Sequence, residues 1–565
     1  MSWFRSSPSQ PEEVPRSYLL RVEGTNMDHV IDDTGQLSVR RGASIFLRQA
    51  VHQYIPDYLR GNGLGEVIST GASIGLYELS LTPTQAEAFE GKLIEKLNSK
   101  ASLAWHFTFT FTLEPLGKGA EEFRKSLREA EAKSHFQQLQ SLSLSLADIT
   151  QLPVPPEGEK IKHLACQWEG VRPAISQVKR TENRVKKSYR VARSVEDRYN
   201  YGRDQKQNFI SDETKGETGV DYPYVYDLEE LSSIAGNERS KPEWEPFRPL
   251  DRKIALIYLD GNHFGRRREA CLAGEKPQEA LKAFDKAIID ARKQFLRNFF
   301  ETFGEQSYFI NEQKEEGEIV KRRRFELLQW GGDELLFVVP AWMGFAAMQC
   351  FFETGFKHEE ERLSHAGGLL FCPHNIPIAR AQQLVKELAE AAKKTTRKED
   401  CYHYLVLESI DYPTQPLDKF HETRHGVLGK WLLPSRPVSD WRKHLDGLEA
   451  FKRKLPRSQV YGALLDLART PLGSCDEGKQ NHAFSETLKK IDEALKDCDL
   501  DKKPWQALFP PHDGDWLKRT ELGNPPPTLD NAEPLWQWLH LLELWDYLPP
   551  LPTDASEAAA GEETK

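Results

Sequence analysis

Cysteine is scarce and scattered: seven residues in 565, at 166, 271, 350, 372, 401, 475 and 498, with no C-x-x-C pair among them. That pattern excludes a disulfide framework and a zinc ribbon, and it fits a reducing cytoplasm. No run approaches the roughly 20 apolar residues that span a bilayer. The opening MSWFRSSPSQPEEVPRS has no apolar signal core, so neither membrane insertion nor secretion is expected. An excess of positive charge is missing as well. The formal net charge of −10 excludes a polycationic nucleic-acid coat while leaving room for a local basic face. What is present is 39% hydrophobic and 29% charged residues, the makeup of a soluble globular chain, at a length that suggests three or four domains.

The first 16 residues and the tail TDASEAAAGEETK (553–565) read as disordered. YLLRVEG (18–24) reads as a strand, GASIFLRQAVHQYI (42–55) as a helix, and GEVISTGASIGLYELS (65–80) as two strands about a short turn. Thr82 followed by Pro83 is a cap with proline at the first helical position. Phe107, Phe109, Phe111 and Leu113 alternate with His106, Thr108, Thr110 and Thr112, which predicts a half-buried strand. Residues 118–150 are helical in pattern, QLPVPPEGEK is a connector, and 176–206 reads as a basic helix followed by a polar loop. From 253 the pattern gives a strand to 260, helices to about 303, a hairpin at 324–339 and a helix at 343–362. A strand at HAGGLLFCP, a helix at 377–394 and a strand at YHYLVLES follow. After about 415 the sequence is mainly helical in pattern.

Two blocks resemble each other. YLLRVEGTN aligns with ALIYLDGNH, pairing Glu23-Gly24 with Asp260-Gly261, and VISTGASIGLYEL aligns with LLQWGGDELLFVV. Ala72 and Ser73 are read as standing in the places of Asp333 and Glu334, so only the second block carries both hairpin carboxylates. A Gly331-Gly332 turn permits the positive φ of a tight hairpin, and Asp333 and Glu334 then open the return strand. The apolar strand IALIYLDG ends in Asp260, a carboxylate that is costly to bury alone. If these acids converge they repel, and Mg²⁺ (or Mn²⁺) would remove that repulsion. Mg²⁺ takes one or two carboxylates together with water and substrate phosphates, which suits phosphoryl transfer.

LDGNHFG followed by QWGGDELLFVV resembles the D-x-x-x-F and GGDEF signature of the palm-domain nucleotide cyclases, and PIARAQQLVKELAEAAKK is similar to that family's closing helix, with Ala392-Lys393 as its Ala-Lys pair. With RRGASIFL in the first block, CQWEGVRPA after it and a helical C-terminal region, the plan resembles the large polymerase (palm) subunit of type III CRISPR effector complexes over roughly residues 16–550. The resemblance implies an α+β fold of two ferredoxin-like palm (nucleotide cyclase-type) domains, the first degenerate (17–117) and the second active (248–415). A helical linker with a degenerate zinc-knuckle region (118–247) would join them, and a helical C-terminal domain (416–550) would follow. It implies condensation of ATP into a cyclic oligoadenylate messenger with two Mg²⁺ ions, in prokaryotic antiviral defence, triggered by target RNA. Other CRISPR effector subunits and guide or target RNA would be its partners.

Carried over by motif position, Asp260, Asp333 and Glu334 would be catalytic metal ligands, with the Gly261 carbonyl assisting. Asn262 and Phe264 would line the nucleotide pocket, Gly331 and Gly332 would belong to the nucleotide-binding set, and Lys393 would meet the triphosphate as a point charge. The family motif is usually GGDD, so Glu334 reaches a methylene further and ranks below Asp333. No histidine-rich nuclease domain fits before Tyr18, so no DNase activity is expected. The family's zinc-binding pairs are reduced to Cys166, and no zinc is expected there. The inhibitory R-x-x-D site of diguanylate cyclases keeps Arg322 but has Phe325 in place of the acid. A non-catalytic nucleotide-binding structural subunit and a stand-alone diguanylate-type cyclase are the alternatives.

Other features admit plainer readings. RRR (266–268) and KRRR (321–324) are either phosphate or RNA contacts or solvated element ends, and the basic stretch 179–193 is either a nucleic-acid track or a solvated helix face. Trp538, Leu541, Leu542 and Trp545 fall at helical spacing and read as core or interface. His512-Asp513 reads as a loop.

Overall fold

The computed structural model describes residues 13–408, apart from 26–27, 72, 101–105, 141–164, 183–184, 215, 217–221 and 316–317, and beyond 408 short stretches of which 542–548 is the longest. The chain's first strand, β1 (Arg16–Thr25), alternates its side chains between two covered faces. It leads through α1 (Asp28–Ile31) to α2 (Leu37–Gln49), a π-helical turn at Ala50–Tyr54 and α3 (Ile55–Gly61). The hairpin β2 (Gly65–Thr70) and β3 (Ile74–Leu81), helix α4 (Pro83–Lys100), strand β4 (Thr108–Pro115) and helix α5 (Ala120–Gln140) complete the first unit. Thr82 caps α4 as expected: its hydroxyl accepts from the Gln85 N–H at 3.3 Å while the Gln85 side chain accepts from the Thr82 N–H at 2.8 Å.

The four strands run antiparallel in the order β2-β3-β1-β4. Leu20, Val22, Tyr77 and Leu79 pack under α3 and α4, while Leu19, Ile68 and Leu76 pack against Phe123 and Leu127 of α5. The expected half-buried strand is therefore covered on both sides. Thr110 and Thr112 are buried too, because their hydroxyls find partners in α5: Thr110 pairs with Ser134 at 2.8 Å and Thr112 donates to the Ala130 carbonyl at 3.2 Å.

The expected basic helix is a hairpin, β5 (Ser176–Glu182) and β6 (Val185–Val191), and the expected polar loop is a helix, α6 (Arg193–Thr214). Val178, Val191 and Tyr189 lie against Val39, Cys166 and Tyr199, and this period-two apolar side outweighs the lysines and arginines that suggested a helix. α6 crosses α2 at backbone contact. A Cβ on Gly42 would sit 2.0 Å from the Arg198 carbonyl oxygen, and one on Gly202 the same distance from that of Ser38. Short helices α7 (Leu228–Ser232) and α8 (Gly236–Arg239) and a 3₁₀ segment over Pro242–Leu250 lead to the second unit.

That unit comprises β7 (Lys253–Gly261), α9 (Phe264–Ala273), α10 (Pro277–Phe303), the added hairpin β8 (Ile310–Glu315) and β9 (Glu318–Arg323), and the hairpin β10 (Glu326–Gly331) and β11 (Glu334–Pro340). After these come α11 (Gly344–Thr354), β12 (Phe356–His358), β13 (Glu361–Leu363), β14 (His365–Pro373), α12 (Ile378–Thr395), β15 (Cys401–Val406) and β16 (Arg436–Pro437). The helix expected over 343–362 stops early because Gly355 takes φ +64°, and the chain turns back as β12–β13. Phe295, Phe299, Phe325, Phe337 and Phe351 form the centre of the largest core. Among the described residues no helix is long and apolar enough to cross a membrane.

The sheet order β10-β11-β7-β14-β15-β16 begins as the first sheet does, with β10, β11, β7 and β14 in the places of β2, β3, β1 and β4. The two hairpins even share a register break, between Val67 and Ser69 in one and between Leu327 and Gln329 in the other. The β-α-β-β-α-β order thus occurs twice. The breaks fall where the aligned strings place them, Val67 on Leu327 and Ser69 on Gln329, so Ser73, not Ala72, stands at Asp333 and Ile74, not Ser73, at Glu334.

Buried charge ties the units together. Glu326 at the start of β10 accepts from Arg41 of α2 and Lys206 of α6, all three at most 8% exposed. Burial works against the Glu326 charge, yet Arg41 and Lys206 hold its carboxyl below the ordinary range. Arg48 of α2 meets Glu213 of α6 at 2.6 Å.

Candidate active site

β7 is apolar and buried from Ile254 to Leu259, then delivers Asp260 at its end. The ladder pairs Leu335 of β11 with Leu259, so the next step sets Glu334 beside Asp260 and Asp333 beside Gly261. Gly331 pairs with Glu334, which makes Gly332 and Asp333 the two turn residues. The turn is therefore Gly-Asp rather than Gly-Gly, and Asp333 sits in it instead of opening the return strand. Gly332 takes φ +57°, the conformation a two-residue hairpin loop asks of its first residue. Gly261 has no room for a side chain: a Cβ there would lie 2.4 Å from Phe264 ring atoms and 2.8 Å from the Asp333 Cβ. The turn lies directly on the end of β7.

The three acids sense one another. Burial, then the charges of Asp260 and Glu334, push the Asp333 carboxyl up to about 6. Burial raises that of Asp260 as well, with Glu334 and Glu390 adding to it, although Lys393 opposes them. The Tyr258 hydroxyl is raised by burial and by the same three carboxylates. Each outer acid has a protein partner: Lys393 of α12 forms an ion pair with Asp260, and the Gln329 side chain donates to Glu334. Lys386, seven residues before Lys393 and so on the same helix face, lies 5.4 Å from the centre of the Tyr258 ring.

Among the described residues no three Asp, Glu, His or Cys side chains converge tightly enough to hold a metal ion. The three-carboxylate ligand set read from the motif is not assembled, because Lys393 and Gln329 occupy two of its members. The donor chemistry still fits a Mg²⁺ ion delivered on a substrate phosphate, which needs one or two carboxylates rather than a protein cage. Asp333, whose charge has no basic side chain in contact among the described residues, is the foremost donor, with Asp260 beside it.

A cleft of about 840 Å³ opens between the two units. Gly331, Gly332, Asp333, Glu334 and Phe264 line it, and Phe264 is braced by Phe284 and His365 at ring-centre distances of 5.9 and 5.2 Å. Asp260, Gly261, Asn262 and Lys393 are not among its wall residues. The Asn262 N–H donates to the Ser364 carbonyl at 2.8 Å and its side-chain amide to the Ser364 hydroxyl at 3.2 Å, tying the end of β7 to the residue before β14.

The opposite wall comes from the first unit, at the equivalent turn. There the His52 Nε2–H donates to the Gly71 carbonyl at 2.8 Å, which leaves Nδ1 to accept from the Thr70 hydroxyl at 3.0 Å. Burial, with Arg48 and Arg292 nearby, keeps His52 neutral. Arg48, Arg268, Arg292 and Lys386 add positive charge to the cleft. Of these only Arg268 belonged to a run singled out in the sequence, the RRR of 266–268. The seven-residue step from Lys386 to Lys393 was the one other signal available, since Arg48 and Arg292 are marked only by folding.

The arginine runs divide. Arg268 reaches the cleft while Arg266 and Arg267 stay exposed on α9. In KRRR Lys321 is exposed, while for the three arginines neither the ligand reading nor the solvated one holds. Arg322, Arg323 and Arg324 are at most 3% exposed, Arg324 donates to the Ser233 carbonyl at 2.6 Å and pairs with Glu238, and Arg322 pairs with Glu230. Leu542 and Trp545 pack on the main core, in keeping with the core reading, while Trp538, Leu541, His512 and Asp513 lie outside the described residues.

No protein-family profile matches the chain, and no curated protein does. Among solved structures it is similar to Csm1 of T. onnurineus, with 13% identity, TM-score 0.46, and 94% of this chain and 70% of that one covered. It is similar to Csm1 in a Csm1–Csm4 cassette with one ATP, at 13% identity and TM-score 0.45 over 94% and 70% of the two chains. It is also similar to Csm1 in the Csm1–Csm4 subcomplex of the type III-A CRISPR-Csm interference complex, at 13% identity and TM-score 0.42 over 93% and 70%.

Proposed function

We propose that this chain is a nucleotidyltransferase of the CRISPR polymerase type that condenses ATP into a cyclic or linear oligoadenylate. In this reading both β-α-β-β-α-β units are ferredoxin-like palms, a degenerate one over 17–117 and an active one over 248–415. The observation that carries it is the seating of the Gly332-Asp333 turn on Gly261, which puts Asp333 and Glu334 in the wall of an interunit cleft of about 840 Å³ that also holds Arg48, Arg268 and Lys386, with Asp260 just behind them. That volume lies within the range of small-molecule sites.

The 3′-hydroxyl of one nucleotide attacks the α-phosphate of another, and pyrophosphate leaves. Mg²⁺, when bound, lowers the pKa of the attacking hydroxyl and neutralises charge on the leaving group. Asp333 and Asp260 would hold it, while Glu334 stays with Gln329 and shapes the local charge. Lys393 is the resident counter-charge of Asp260, and an incoming triphosphate offers it a second anion to meet. Arg48, Arg268 and Lys386 attract the phosphates, and Phe264 closes the floor behind Asp333. Csm1–Csm4 has been solved with one ATP, and a protein partner of that kind, with guide and target RNA, is proposed here too, on the geometry and motifs rather than on that likeness.

A second reading is favoured by one observation. With Asp260 held by Lys393 and Glu334 by Gln329, the palm could bind nucleotide without turning it over, as a structural subunit. Incubation with labelled ATP and Mg²⁺, with and without target RNA, separates the two. New oligonucleotide species that disappear in Asp333→Ala support the transferase, bound and unchanged ATP supports the scaffold, and activity on GTP alone points to a diguanylate-type cyclase.

A further inference from the structure

One helix touches both hairpin turns. Asp285 and Arg292 of α10 are seven residues apart, two helical turns along one face. The Asp285 Oδ2 accepts from the Thr70 N–H at 2.6 Å, and the Ser69 hydroxyl adds a second hydrogen bond to the same carboxylate. The Arg292 Nη1 donates to the Gly332 carbonyl oxygen at 3.0 Å, with its guanidinium 5.9 Å from the Trp330 ring centre. Thr70 ends the strand that enters the first unit's turn and Gly332 lies in the equivalent turn of the second, and both line the cleft.

Arg292 could be an ordinary core arginine, but three buried arginines nearby in the fold show one common form of that. Arg41, Arg48 and Arg198 each meet a carboxylate directly. Arg292 is 1% exposed, and its one hydrogen bond among the described residues goes to the peptide that precedes Asp333, while its Nε has no partner. Holding the Gly332 carbonyl fixes the Gly332–Asp333 peptide plane, and with it the direction in which the Asp333 side chain leaves the turn. A glycine at positive φ would otherwise leave that plane loosely defined.

We propose that Asp285 and Arg292 are a positioning pair that fixes the two hairpin turns at a set span across the cleft, and so determines how the groups bound at its two sides face each other. The catalytic consequence rests on the nucleotidyl-transfer reading; the clamp itself does not.

The test is hydrogen–deuterium exchange on the full-length protein without metal or nucleotide, paired with turnover on ATP and Mg²⁺. Arg292→Gln should speed exchange at 331–334 about five- to tenfold, the factor for one lost hydrogen bond, while 253–261 in β7 stays protected. Arg292→Lys should fall between it and wild type. Asp285→Ala should loosen 69–74 and leave 331–334 alone, and Asp285→Asn, which keeps an acceptor oxygen, should stay near wild type. In turnover both disruptive variants should lower kcat by about tenfold to a hundredfold with little change in KM. Unchanged exchange at 331–334 in Arg292→Gln, or loosening that spreads equally into β7, overturns the clamp whatever the turnover. The expected exchange pattern in a wild type that makes no product keeps the clamp and removes the nucleotidyl-transfer reading instead.

Discussion

Replacing Asp333 by asparagine removes a charge that the fold resists. Burial and the neighbouring carboxylates raise the Asp333 carboxyl from 3.8 to about 6. The folded state therefore binds this proton more tightly than the unfolded chain does. Below the unfolded pKa both states are protonated and nothing is lost. As pH rises from about 4 to 6 the folded form is progressively penalised, and above about 6 the cost levels off. A shift of about two units corresponds to roughly 2–3 kcal/mol at neutral pH. In buffer with a chelator, Asp333→Asn should melt roughly 5 °C above wild type at pH 7.5. The gap should shrink steadily as pH falls toward 4.5. Thermal melts across that range give the curve directly. A gap that does not change with pH, or a variant less stable than wild type at pH 7.5, would refute the electrostatic reading of this turn.

Three further outcomes follow from contacts elsewhere. Gly261→Ala places a Cβ against Phe264 and Asp333, so turnover should fall about a hundredfold with a stability loss of about 1–3 kcal/mol, and unchanged turnover would contradict the seating of the turn. Glu326→Ala strands Arg41 and Lys206 without their carboxylate and should cost about 3–5 kcal/mol in urea denaturation; a loss below about 1 kcal/mol would mean water reaches that pair. Gly42→Val and Gly202→Val should each cost about 3 kcal/mol or more in the same experiment, because the α2–α6 crossing leaves no space for a side chain on either residue.

What could be read from the sequence was whatever is local. The apolar run into Asp260, the glycines before Asp333 and the amphipathic spacing of α12 carry their structure within a few residues. The internal repeat was visible as well, and its aligned strings hold the observed register; only the residues named against the two acids, Ala72 and Ser73, were one place early. The hairpin β5–β6 and helix α6 were lost for a different reason. α6 buries Arg198, Gly202, Lys206 and Glu213, so the face it turns inward is not an apolar stripe. Their partners, Asp33, Ser38, Glu326 and Arg48, lie on distant segments, and only folding brings them together. The buried KRRR run was illegible in the same way, since its neutralising glutamates are 230 and 238. At the site, the motif pointed to the right acids but not to Lys393 and Gln329 as their partners, nor to the basic wall of the cleft.

In the nucleotidyl-transfer reading proposed above, Asp260 and Asp333 share a cation carried in on a nucleotide. Mn²⁺ binding followed by electron paramagnetic resonance, in the presence of a non-hydrolysable ATP analogue, reads that shared ion. Wild type should take up Mn²⁺ only together with the nucleotide, and Asp260→Asn and Asp333→Asn should each weaken that uptake by about tenfold or more. Equal Mn²⁺ affinity in wild type and both variants would contradict it, leaving two carboxylates that lie near each other but hold no common ion.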